Sequence, residues 1–159
     1  FTPLHWAILN GQTEAALLLM EQGADLEAFD GSGFCPLTTA AIRGNLEVGQ
    51  ALLDQGVDVD RHIPGDGFES GYAPLKMACN RQEFAFARLL IERGADVNLS
   101  DHSGYTPLMM LDPEDCESEE EVAELVELAR LLIEKGADPD AKNSMNHGMP
   151  QQTRERLGL

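Results

Sequence analysis

Positive charge is what this chain lacks most. Its 159 residues carry 11 lysines and arginines against 28 aspartates and glutamates, a net charge of −17. So acidic a surface repels phosphate backbones and anionic headgroups, so neither nucleic acid nor a membrane is expected as partner. Long apolar runs are missing too. No stretch of 18 apolar residues exists, so no segment is expected to span a bilayer. Cysteine is sparse: Cys35, Cys79 and Cys116 make an odd number without paired spacing. That fits reduced thiols and an intracellular, cytoplasmic setting rather than a disulfide framework. No signal peptide is visible. The chain opens inside a motif that returns later, so these residues are expected to belong to a longer protein.

The groups that catalysis needs are also missing as sets. There is no Gly-rich phosphate loop, no Ser–His–Asp combination and no paired-cysteine motif, so no enzyme and no cofactor are expected. Cys116 stands among acids, which raise a thiol's pKa and blunt it as a nucleophile. Cys79 falls at a core position. The four histidines, His5, His62, His102 and His147, show no metal-ligand spacing, so no metal is expected.

What the chain does have is repetition. Leu19-Met20-Glu21-Gln22-Gly23-Ala24-Asp25 returns as Leu53-Asp54-Gln55-Gly56-Val57-Asp58, Leu90-Ile91-Glu92-Arg93-Gly94-Ala95-Asp96 and Leu132-Ile133-Glu134-Lys135-Gly136-Ala137-Asp138. Each copy reads as an apolar helix stopped by a glycine that takes φ > 0 without strain. A second signal recurs ahead of it: Phe1-Thr2-Pro3-Leu4, Phe34-Cys35-Pro36-Leu37, Tyr72-Ala73-Pro74-Leu75 and Tyr105-Thr106-Pro107-Leu108. Proline at the first helical position loses nothing by lacking an N–H, and Thr2 or Thr106 can cap the helix. Successive prolines lie 33, 38 and 33 residues apart, and proline to glycine within a unit is 20, 20, 20 and 29. The basic period is therefore 33, with insertions before Pro74 and inside the fourth unit.

A period of 33 with Thr2-Pro3-Leu4-His5-Trp6-Ala7 opening a helix pair, and Gly94-Ala95-Asp96-Val97-Asn98 closing one, resembles the ankyrin-repeat family over nearly the whole chain. The resemblance implies an all-α solenoid of helix-turn-helix units joined by β-hairpin fingers. We expect one domain over 1–159, with repeats at about 1–32, 33–70, 71–103 and 104–142 and a degraded capping repeat at 143–159. In this family the T-P-L-H histidine bonds neighbouring backbone. The later units have Thr38, Lys76 and Met109 there, so that ladder is expected to be mostly lost.

Three departures stand out. The exit of the second unit carries the longest finger, with Ile63 and Phe68 amid Gly, Pro and Asp. In the fourth unit, Pro113 is expected to stop the first helix near Leu111-Asp112. Ser118 and Glu121 then form a capping box ahead of one long helix over about 119–135. The stretch Asp112 to Ala129 holds nine acids and no base, a solvated face or a docking patch for a basic partner. In the tail, Gln151 to Leu157 reads as a short helix stopped by Gly158, covering the fourth unit.

An aromatic residue precedes the Pro motif in all four units: Phe1, Phe34, Tyr72 and Tyr105. The resemblance places these at the finger–helix junction on the concave side, with Trp6, Thr39, Met77 and Met110 near the same face. Asp30, Asp66, Glu69, Asp101 and His102 are placed at finger tips. Together they suggest a groove with an apolar floor and acidic fingers. Asn98, with Leu90 and Asp96-Val97 before it, is similar to the pattern around asparagines hydroxylated in animal ankyrin repeats, and is a candidate modification site. The expected function is a non-catalytic, monomeric module that binds a protein or peptide through groove and fingers, the acidic charge favouring a basic partner. The rival is an acidic inhibitor or immunity-type protein occluding the basic active site of an enzyme or toxin. Strong salt sensitivity of binding would favour the rival.

Overall fold

Proline opens the helices and glycine closes them. The computed structural model describes residues 1–63 and 71–159. Three helix pairs follow one another: α1 (Pro3–Leu9) with α2 (Thr13–Glu21), α3 (Pro36–Ile42) with α4 (Leu46–Asp54), and α5 (Pro74–Asn80) with α6 (Phe84–Glu92). The fourth unit holds 3₁₀ turns at Pro107–Met110 and Pro113–Asp115, then α7 (Glu119–Glu134), and α8 (Gln151–Leu157) ends the chain. Each first helix has proline at its start. Thr2 caps α1, and the Cys35 thiol accepts from the Thr38 amide at α3. The stop glycines Gly23, Gly56, Gly94 and Gly136 all have positive φ, from 83° to 102°. No side chain follows such a turn without strain, which is why the motif is written four times.

The elements form two layers. Helices α1, α3, α5 and the Pro107 turn stack in one, and α2, α4, α6 and α7 in the other, with α8 against α7. Leu4, Leu37, Leu75 and Leu108, the residues after the four prolines, are each at most 1% exposed and form a column through the first layer. Leu52, Phe86, Leu90, Leu125, Leu128 and Leu132 do the same for the second layer. Each such side chain contributes about 1.5–3 kcal/mol on burial. Phe86 sits directly over Gly49, where a Cβ would lie 2.4 Å from its Cζ atom.

Three expectations change. Among the described residues the fingers contain no strand. Each is a tight turn closed by two backbone bonds: Asp30 N–H to Phe34 O and Gly33 N–H to Asp30 O, Asp101 N–H to Tyr105 O and Gly104 N–H to Asp101 O, and Asn143 N–H to His147 O and Asn146 N–H to Asn143 O. The first residue's side chain supplies what a ladder would. Asp30 Oδ1 accepts from Ser32 and Phe34, Asp101 Oδ1 from Ser103 and Tyr105, and Asn143 Oδ1 from Met145 and His147. The first helix of the fourth unit shrinks to the 3₁₀ turn Pro107–Met110, and the Thr106 side chain caps nothing. Pro113 holds Asp112 extended (φ −104°, ψ 120°), so an α-helix cannot run through it. The long helix lies at Glu119–Glu134, but Glu121 reaches back to the amide of Glu117 rather than that of Ser118.

α8 is tied down by polar bonds. Thr153 donates to Leu111 O at 2.7 Å, and Arg154 to Pro139 O at 2.7 Å. No described helix is long and apolar enough to cross a membrane.

Candidate partner-binding surface

The slot three residues after each helix-opening Thr, Cys or Ala ties one unit to the next finger. The buried ring of His5 places Nε2 3.0 Å from Phe34 O. A carbonyl can only accept, so Nε2 carries the hydrogen and Nδ1 is left to accept from Thr2. Thr38 Oγ1 donates to Tyr72 O at 3.1 Å, repeating the bond with a hydroxyl. Lys76 Nζ reaches Asp101 Oδ2 at 2.6 Å, and both side chains are largely buried. The expected loss of this ladder is therefore corrected in part: His5 and Thr38 keep the bond to the next finger's backbone, and Lys76 replaces it with an ion pair to that finger's aspartate. Only Met109 has no donor.

These contacts set the local electrostatics. Burial lowers the His5 pKa, against the pull of Phe34 O and Asp30. At Asp101 burial works upward, but the Lys76 ammonium and the amides of Tyr105 and Ser103 prevail, and its carboxyl titrates below the usual range. Burial pushes the Cys79 thiol up to about 12. Cys116 is raised by burial and by Glu121, Asp115 and Asp112. Among the described residues no group of three His, Cys, Asp or Glu side chains converges as metal ligands.

The chain's aromatic positions are presented by the turns. The Phe34 and Tyr72 rings meet at 5.0 Å with a 60° tilt, and Lys76 Nζ lies 5.8 Å from the Tyr72 centroid. Tyr105 takes the same place in the following unit, its amide bound by Asp101. All three are half-buried. Phe1 and Trp6 stand at the first unit, 6.2 Å apart and 61% and 60% exposed. Met77 does not join this surface: it is buried at 8%, and the equivalent Thr39 at 1%. Trp6, at the same register position in the first unit, is exposed instead. Met110 is half-buried, and its sulfur lies 3.8 Å from Asn80 Nδ2. Ile63 is half-buried and its carbonyl accepts from Gly71. His102 is exposed at a turn tip. Asp66, Phe68 and Glu69 lie outside the described residues.

A family model of ankyrin repeats in three copies matches residues 1–63. A single-repeat ankyrin model matches 70–102 and again 103–144. The chain belongs to the ankyrin-repeat family. No curated protein matches it as a relative. Ankyrin repeats are generally protein–protein interaction modules and are typically non-catalytic.

Within this ankyrin array a second ladder runs along the turns after the stop glycines. Asn98 donates to Gly136 O at 2.9 Å and accepts from the Asp138 amide at 3.1 Å. Asp60 accepts from the Asp96 amide through both oxygens at 3.1 Å, and Glu27 from Asp58 at 3.5 Å. Asn98 thus bridges two units with its whole amide. One feature escaped the sequence. An open notch of about 630 Å³ lies between the α5–α6 turn and the start of α7. Arg81 and Phe84 face Asp115, Glu117, Glu121 and Glu124 across it. The acidic run was visible, but not the neighbour it folds against.

Proposed function

We propose that this ankyrin array is a non-catalytic, monomeric, intracellular module that holds a protein or peptide segment along its finger turns and first-layer helices. The observation that carries this reading is the set Phe34, Tyr72 and Tyr105, held half-exposed at equivalent points of successive units. Aromatic residues are enriched at interface cores because they bury large rigid area at small entropic cost. Trp6, Met110 and Ile63 are the further contacts of this reading, and Phe68, Asp66 and Glu69 are candidates from the sequence alone. Asp101 and His102 edge it. The net charge of −17 favours a segment that mixes basic and apolar residues. Four repeats, about 1–32, 33–70, 71–103 and 104–142, with 143–159 as a cap, complete the proposed organisation. Asn98 remains a candidate for hydroxylation, tested by intact mass of protein from its native host.

The test begins with capture of the partner from the source cell. Its affinity is then measured against the wild-type array and against Tyr72→Ala and Tyr105→Ala. Each replacement is expected to weaken binding by at least about tenfold, the size of a hot-spot truncation. Unchanged affinity in both would end the aromatic assignment. Affinity that collapses between low and raised salt, with the tyrosines neutral, would favour the acidic-inhibitor reading.

A further inference from the structure

We infer that the capping box of α1 is a proton-sensitive latch: protonating His5 converts the acceptor that receives the Thr2 amide into a donor and loosens the first helix pair. The geometry leaves the ring no spare position. His5 is 0% exposed, its Nε2 donates to Phe34 O at 3.0 Å, and its Nδ1 lies 2.8 Å from Thr2 Oγ1 and 3.4 Å from the Thr2 amide nitrogen. The neutral ring satisfies all of these contacts. After protonation at Nδ1 the Thr2 hydroxyl can rotate and accept, but the Thr2 amide cannot turn and is left facing an N–H. The imidazolium is then a buried cation with no hydrogen-bonded anion.

The third unit shows the contrast. There Lys76 fills the same slot and its charge is met by Asp101 at 2.6 Å. In the first unit Asp30 is buried close by, but its Oδ2 has no hydrogen-bond partner, and both ring nitrogens of His5 are committed elsewhere. The charged side chain that acts on His5 is Asp30, which favours the imidazolium. α3 carries no charged residue, and Glu14 and Glu21 of α2 are exposed. Burial outweighs Asp30 and lowers the histidine's pKa. Among the described residues α1 packs chiefly on α2 and α3, so loosening it is felt mainly by those two helices.

The experiment is amide hydrogen exchange at pH 7.5 and 5.5, corrected for intrinsic rates, with the His5 ring titration followed by NMR. Protection at Trp6 to Gln12 is expected to fall up to about tenfold per pH unit below 6.5, relative to the amides of α5. His5→Gln keeps an acceptor for the Thr2 amide and has no proton to gain, so its protection should not fall. The latch is overturned if wild-type α1 tracks α5, or if His5→Gln loses protection equally. A folded-state ring that titrates at an ordinary 6.5 would overturn it on the wild-type chain alone, whether or not the variant folds.

Discussion

Asp60 and Asn98 hold the same place in successive repeats and reach the same target, the amide of the next unit's aspartate. They differ in what else they bring. Asn98 adds a donor to Gly136 O, whereas Asp60 adds a charge beside Asp58 and Asp96. Burial, with those two carboxylates, raises the Asp60 pKa above 3.8. A raised carboxyl binds protons more tightly folded than unfolded, so its ionisation works against folding as pH rises through the folded pKa. Asp60→Asn keeps the acceptor, removes the charge and places a donor opposite Gly94 O. It is expected to stabilise the chain by about 0.5–1.5 kcal/mol at pH 7, or roughly 1–6 °C in Tm. The gain should narrow as pH falls toward 3.8, which thermal melts at several pH values will show. The motif around Asn98 was plain in the sequence. The cross-unit bonds of Asp60, Thr38 and Lys76 were not, because each depends on a partner more than 20 residues away, beyond any local pattern.

Among the elements, α4 and α6 meet through a glycine and a ring. Phe86 is 1% exposed and lies over Gly49, so a methyl group there has nowhere to go. In an exposed helix Gly→Ala would stabilise. Here overpacking is expected to win, and Gly49→Ala should lower stability by about 1–3 kcal/mol. Urea unfolding would show a lower midpoint, with recovery in Gly49→Ala/Phe86→Leu. A midpoint that rises would mean the ring can shift aside. Element positions were legible because proline, glycine and apolar spacing mark both ends of each helix and its buried face. What the pattern missed was context. Met77 and Trp6 share a register position, yet one is buried and the other exposed, because only a stacked neighbour decides which face is covered. The fourth unit's first helix also fell short, since Pro113 weakens the turn before it as well as ending it.

Across the whole molecule, charge sets two effects against each other. Six of the 11 lysines and arginines act as staples between segments of the array: Arg61 to Glu27, Lys76 to Asp101, Arg88 to Glu127, Arg93 to Asp54, Arg154 to Asp140 and Arg156 to Glu119. Five of these pairs have a half-exposed or exposed partner and contribute about 0–1 kcal/mol each. Against them stands the self-repulsion of a net charge of −17 on a thin, two-layered array. Salt screens both, and at 0.5 M the Debye length is about half its value at 0.1 M. Repulsion acts over longer distances than the short pairs, so it is screened first. Raising salt from 20 mM to 500 mM NaCl is therefore expected to stabilise the fold by about 1–2 kcal/mol, read as a higher Tm. The same change should weaken any complex whose partner is held by the acidic surface. A Tm that falls with salt would mean the staples outweigh the repulsion, and would shift the weight of stability from the apolar columns to the ion pairs between units.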